Sequence, residues 1–125
     1  MTFETDLYAL LSGSSGLTAV VGDRIVPSYA SEGVSARSYV VYTPVSMEPI
    51  YSIAGAGNMT RVRLQVDCYA EDPDSCMAIA TEVISAIPQT GALHRAAHST
   101  QDFGLDESVR LFRRIVEFSI FHRSS

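Results

Sequence analysis

Apolar residues recur every three or four positions at the start of the chain, where Phe3, Leu7, Leu10 and Leu11 share one side of a helix beginning near Thr2. Gly13 is placed to end that helix. The "SGSSG" that follows reads as a turn, because it lacks the Gly-Lys-Ser/Thr ending of a phosphate-binding loop and follows no strand. Leu17, Val20 and Val21 allow one or two further helical turns, after which Gly22-Asp23 leads into a brief extended piece from Arg24 to Pro27. Small polar residues from Ser28 to Ser38 then suit an exposed connection.

The period changes next. "SYVVYTPVS", Ser38 to Ser46, is rich in β-branched and aromatic residues and predicts a strand, with Pro44 confining it to an edge or to a strand end. Its antiparallel partner is expected at Thr60 to Tyr69, which leaves Met47 to Met59 as a long connecting loop containing Pro49, Gly55 and Gly57. In the partner strand Val62, Leu64, Val66 and Cys68 point one way and Arg61, Arg63, Gln65 and Asp67 the other. Asp72-Pro73 supplies an N-cap and a first helical residue, and Cys76, Ile79, Ala80, Val83, Ile84 and Ile87 follow as an apolar stripe that Pro88 stops. The last strand sets Phe112, Val116, Phe118 and Ile120 against Arg113, Ile115, Glu117 and Phe121, and its length predicts a central position. Arg114 falls on the apolar side, so it needs a carboxylate partner or a place near the strand end. Leu93 to Phe103 predicts one further strand, with Gly104 to Ser108 as the turn. These elements add up to an α+β fold: a small, largely antiparallel sheet with two main helices packed on one face, in a single domain over residues 1–125.

Composition narrows the function classes. With 125 residues the chain can bury about two-thirds of the surface it exposes unfolded, so a core needs neither metal nor disulfide. The net charge of −5 opposes broad, nonspecific nucleic-acid binding. All nine cations are arginine, which fits a nucleotide bias in the genome and equally suits protein interfaces, where arginine is the favoured cation. No apolar run is long enough to span a bilayer, and no secretion signal stands at Met1 to Ser15, so residence in a cytoplasm is the expectation. Cys68 and Cys76 make neither a disulfide framework nor a zinc site.

Candidate chemistry is sparse. His94 and His98 in "HRAAH" have the separation of two metal ligands on a helix, but the glutamate after the first histidine and a third ligand are missing. Ser12, Ser14 and Ser15 lack a nucleophile-elbow setting, so no catalytic residue is assigned. Asn58-Met59-Thr60 matches a glycosylation acceptor, which carries no weight without a secretion signal.

The succession "ETDLYALLSG", "SYVVYTPVS", "RVRLQVDCYAEDPDSCMAIATEVISAI" and "FRRIVEFSIFH" resembles the tail-completion, or tail-terminator, family of long-tailed bacteriophages and of phage-derived particles such as gene transfer agents. The resemblance covers nearly the whole chain and rests on the order and spacing of elements. It implies a structural protein without catalytic residues or cofactor, located in the tail-neck region of a virion or phage-like particle after assembly in the host cytoplasm. It further implies a homo-oligomeric ring, usually of six, that stops growth of the tail tube and offers a docking surface to the head-neck connector. The partners implied are other copies of the chain, the tail tube protein and the connector, with no membrane and no sequence-specific nucleic acid, although DNA would pass through the ring. Arg61, Arg63, Ile115 and Glu117 on the polar strand face become candidate subunit contacts, Ile115 being odd among charges on a surface that never meets a partner. Met47, Tyr51 and Met59 represent the long loop as a second candidate contact. A different neck protein and, more distantly, a monomeric small-molecule binding or enzymatic domain are the rival readings.

Overall fold

In a computed structural model of the chain, residues 3–22, 24–28, 38–50, 59–107 and 110–123 are described. Helices α1 (Phe3–Ser12) and α2 (Ser15–Val21) come first, then strands β1 (Ile25–Pro27), β2 (Tyr39–Ile50) and β3 (Met59–Ala70). Helix α3 (Pro73–Ala86) and strands β4 (Leu93–Asp106) and β5 (Leu111–Arg123) complete the order. The strands form one sheet in the order β1-β2-β3-β5-β4, with β5 inside it as its length predicts. Only β1 and β2 run parallel.

Local chemistry starts α2 and α3 and stops α2. Ser14 caps α2 by accepting a hydrogen bond from the Leu17 amide at 3.3 Å. Gly22 ends α2 at φ 60°, in the left-handed region, and donates its N–H to the Thr18 carbonyl at 2.8 Å. Asp72 caps α3 through the Ser75 amide at 2.8 Å, with Pro73 in the first turn where its missing N–H costs nothing. All three helices sit on one face of the sheet, α3 against β3 and β5. There Leu7, Leu11, Leu17, Ile79, Val83 and Ile87 meet Val62, Leu64, Val66, Val116 and Ile120, all fully buried. Burying such a side chain stabilises the fold by about 1.5–3 kcal/mol. The seven-residue α2 supplies the one or two turns expected around Leu17 to Val21, with Leu17 and Val21 reaching the core, and α1 and α3 are the two longer helices.

Strand β2 is longer than its sequence suggests. It runs on to Ile50, so Met47 to Ile50 belong to the strand and Met59 opens β3; the connection is 51–58, outside the described residues. Pro44 does not end the strand. Val40 donates its N–H outward to the Arg24 carbonyl at 3.0 Å, so alternate ladder positions of β2 face away from β3. The pairings Val40 with Cys68, Tyr42 with Val66, Pro44 with Leu64, Met47 with Val62 and Pro49 with Thr60 continue that outward set across a bulge at Val45. Both prolines therefore stand where no bond to β3 is lost. Gly104 likewise lies within β4, at one of its two register shifts, and not in the following turn.

Candidate assembly face

The helix-free face of the sheet brings the strand residues singled out by sequence into successive cross-strand rows. Glu48, Arg61, Phe121 and His94 form one row across β2, β3, β5 and β4, and Ser46, Arg63, Ser119 and Ala97 the next. Gln65, Glu117 and Ser99 follow, then Asp67, Ile115 and Gln101. Arg61, Arg63 and Glu117 are exposed, and with Ala97, Ser99 and Ser119 they line an open depression of about 360 Å³. Arg61 stands 4.0 Å from Glu48 and lies over the Phe121 ring at 5.9 Å. Both charges of that pair are more than half exposed, so the pair adds little stability. Arg63 makes no ion pair among the described residues.

Ile115 differs from expectation. It is 8% exposed, set between Asp67 and Gln101, so the chain itself covers it and it is not an apolar side chain left open for a partner. Met59 lies on the same face, half-buried beside Arg123. Met47 pairs with Val62 on the opposite, helix-bearing face, where it is 47% exposed. Tyr51 lies outside the described residues.

At the other end of the face lies a feature that alternation alone did not reveal. Tyr39, Tyr69 and Arg113 share a row: the tyrosine rings stack with centroids 4.6 Å apart, and the Arg113 guanidinium sits over Tyr69 at 6.0 Å and over Phe103 at 5.2 Å. Arg113 also donates to the Asp67 carboxylate at 2.8 Å, and Gln65 donates to the other carboxylate oxygen at 2.9 Å. Burial alone would lower the pKa of Arg113, but the hydrogen bond and charge of Asp67 outweigh it and leave it raised. Burial pushes the Tyr69 phenol up to about 12, with Arg113 opposing, and raises Tyr39 too, aided by Asp106. Tyr39, Val41 and Leu111 are buried here as a small second core, beside Phe103, which stays 48% exposed.

The histidines do not converge. A register shift between Arg95 and Ala97 leaves His94 opposite Phe121 on the helix-free face and puts His98 opposite Phe118 on the other. Among the described residues no group of three metal-ligating side chains comes together. Cys68 and Cys76 are buried free thiols, Cys76 donating to the Cys68 carbonyl at 3.1 Å. Arg114 has the carboxylate its position calls for, Asp102, at 3.6 Å.

A mixed-charge face over a buried core holds no catalytic constellation among the described residues. The comparison with known sequences agrees with that character: the model of the family described as tail completion protein gp17 matches residues 5–123. The chain belongs to that family. As a tail completion protein it is a structural component of a phage-type tail. Its fold is also similar to a chain in a solved structure of the virion of a native gene transfer agent particle, with a TM-score of 0.66 and 16% sequence identity. That match covers 94% of this tail completion protein and 90% of the other chain. No curated protein matches it at a significant level.

Proposed function

We propose that this tail completion protein is a tail terminator of a virion or phage-like particle. Six copies close into a ring on the tail tube, stop its polymerisation and present a docking surface to the head-neck connector. The family match across nearly the whole chain carries this reading, and the likeness in fold to a component of a gene transfer agent particle supports it. The physics of the face agrees: a closed ring has no free end, so the protein can cap a growing tube without polymerising. Its partners are other copies of itself, the tail tube protein and the connector. Arg61, Arg63 and Glu117, with Met59 beside them, take part in the contact between copies, and Met47 at the far end of β2 meets the tube or neck.

Electron microscopy and light scattering of the purified protein with growing tail tubes test this. Rings seated on tube ends, with tube lengthening arrested, are the expected result. A protein that stays monomeric beside tubes that keep growing overturns the reading. Rings that bind the connector and ignore the tube would assign the protein to another neck position.

A further inference from the structure

The two layers of this subunit differ in charge. Helices α1, α2 and α3 together hold Glu4, Asp6, Asp74 and Glu82 and not one arginine, whereas six of the nine arginines lie in the strands. At the open end of the helix-free face Arg61, Arg63 and Arg123 outnumber Glu48 and Glu117, an excess of cations on a chain whose net charge is −5. Acidic residues in the first turns of α1 and α3 suit the helix dipole. The dipole equally favours a cation in each last turn, and none of the three helices has one. The ends of α2 and α3 are served from flanking segments instead, Arg24 donating to the Val20 carbonyl at 3.3 Å and Arg95 to the Ile87 carbonyl at 2.8 Å, which leaves the exposed acids Glu4 and Asp74 on the helices themselves.

The helical layer also presents apolar side chains to solvent. Tyr8 on α1, Val20 on α2 and Met77 on α3 are 41%, 38% and 52% exposed, one from each helix. Glu4 is one turn from Tyr8 and Asp74 one turn from Met77, so each acid flanks an apolar group on the same helical face. Glu82 packs against Gly16 at the junction of α2 and α3, where a Cβ would collide with its carboxylate. Aromatic and methionine side chains rimmed by charge are the composition of a protein contact.

Resting on the ring reading above, we infer that neighbouring copies meet head to tail, the arginine-bearing sheet face of one against the acidic helical layer of the next. A ring requires two different patches on each subunit, and these two are complementary in charge and lie on opposite sides. A sheet-to-sheet contact would give a two-fold dimer with arginines facing arginines and would consume the face. Closure at six copies turns each subunit by about 60° relative to its neighbour. The end holding Arg61 and Arg63 presents exposed charges, whereas Tyr39, Val41 and Leu111 at the other end are buried.

Charge reversal on each side tests the pairing, with light scattering for mass and circular dichroism for fold. The sheet variant carries Arg61→Glu and Arg63→Glu; the helix variant carries Glu4→Arg and Asp74→Arg. Each alone should stay monomeric at concentrations where the parent forms rings. Their equimolar mixture should form rings of alternating copies, since every contact then pairs opposite charges. Rings from either variant alone, or a folded mixture that stays monomeric, overturn the pairing of sheet face with helical layer while leaving the ring itself intact. A parent that never forms rings, even with tail tubes, overturns the ring reading instead. Should a reversed variant lose helicity, Met77→Ser decides: the pairing requires at least a tenfold rise in the concentration needed for rings, and an unchanged concentration overturns it.

Discussion

The His122 imidazole donates from Nε2 to the Asp6 carboxylate at 2.7 Å, tying the last strand to the first helix. The ring is 3% exposed and meets Phe3 edge-on, with centroids 5.5 Å apart. Replacing Asp6 by Ala leaves a buried N–H without its acceptor, which costs about 1–3 kcal/mol. Thermal melting should register the loss as a lower Tm. An unchanged Tm would show that α1 is held by Leu7 and Leu11 alone.

The Asp67–Arg113 pair gives a second prediction. Asp67→Ala strands a guanidinium that is 28% exposed, and the expected destabilisation is about 2 kcal/mol, below that of a fully buried ion pair. The double change Asp67→Leu with Arg113→Met should recover much of the loss, because an apolar pair leaves no charge unpartnered. Denaturant midpoints of the parent and the two variants make the comparison.

Alkaline pH should unfold the protein in a defined window. Burial pushes the Cys76 thiol from 9.0 up to about 11 and the Tyr69 phenol from 10.0 up to about 12. The folded chain therefore keeps protons that the unfolded chain has lost, and stability falls as pH rises. The contribution is complete below about pH 9 and is lost as pH climbs through about 11 to 12. Denaturant midpoints across this range should decline, and Tyr69→Phe should remove the upper part of the decline. A flat profile would count against buried, neutral groups.

Cys68 and Cys76 should be inert to thiol reagents in the folded protein. Burial raises both thiols, Cys68 the more, and the neutral thiol is a poor nucleophile. Two thiols should be counted after denaturation and none before; rapid labelling of native protein would contradict the packing of α3 on β3.

Much of this architecture is legible in the sequence, and the limits have physical causes. Val62 to Cys68 alternate so strictly that only one face can be core, and Asp72-Pro73 and Pro88 bracket α3 by chain stereochemistry alone. Such signals are local. The extension of β2 was hidden because Pro44 and Pro49 read as stops, and whether a proline is tolerated depends on which side of the strand has a partner. Ile115 and Asp67 were assigned to the correct face but not to its buried part, since alternation says nothing of what lies above a side chain. Arg113, which covers that region, is 46 residues away from Asp67. The histidines at helical spacing sit on a strand whose bulge separates them, and bulges leave no periodic trace. For the assembly face, the rows of Arg61, Arg63 and Glu117 were readable, while the layer-by-layer division of charge emerged only once helices and strands had their places.

The two prolines of β2 bear on how copies of this protein can recognise one another. A sheet border normally presents a comb of amide donors, and an identical sheet can dock on that comb, then another, without limit. Past β1, the outward ladder positions of β2 are Pro44, Met47 and Pro49, so a single tooth of the comb remains. At the opposite border the Arg95 N–H is already taken by the Pro88 carbonyl at 2.8 Å, and two register shifts break the run of β4. Backbone docking is indifferent to sequence and has no natural end, whereas docking through side chains is selective and finite. By limiting the first at these positions, the fold shifts encounters between copies toward the second.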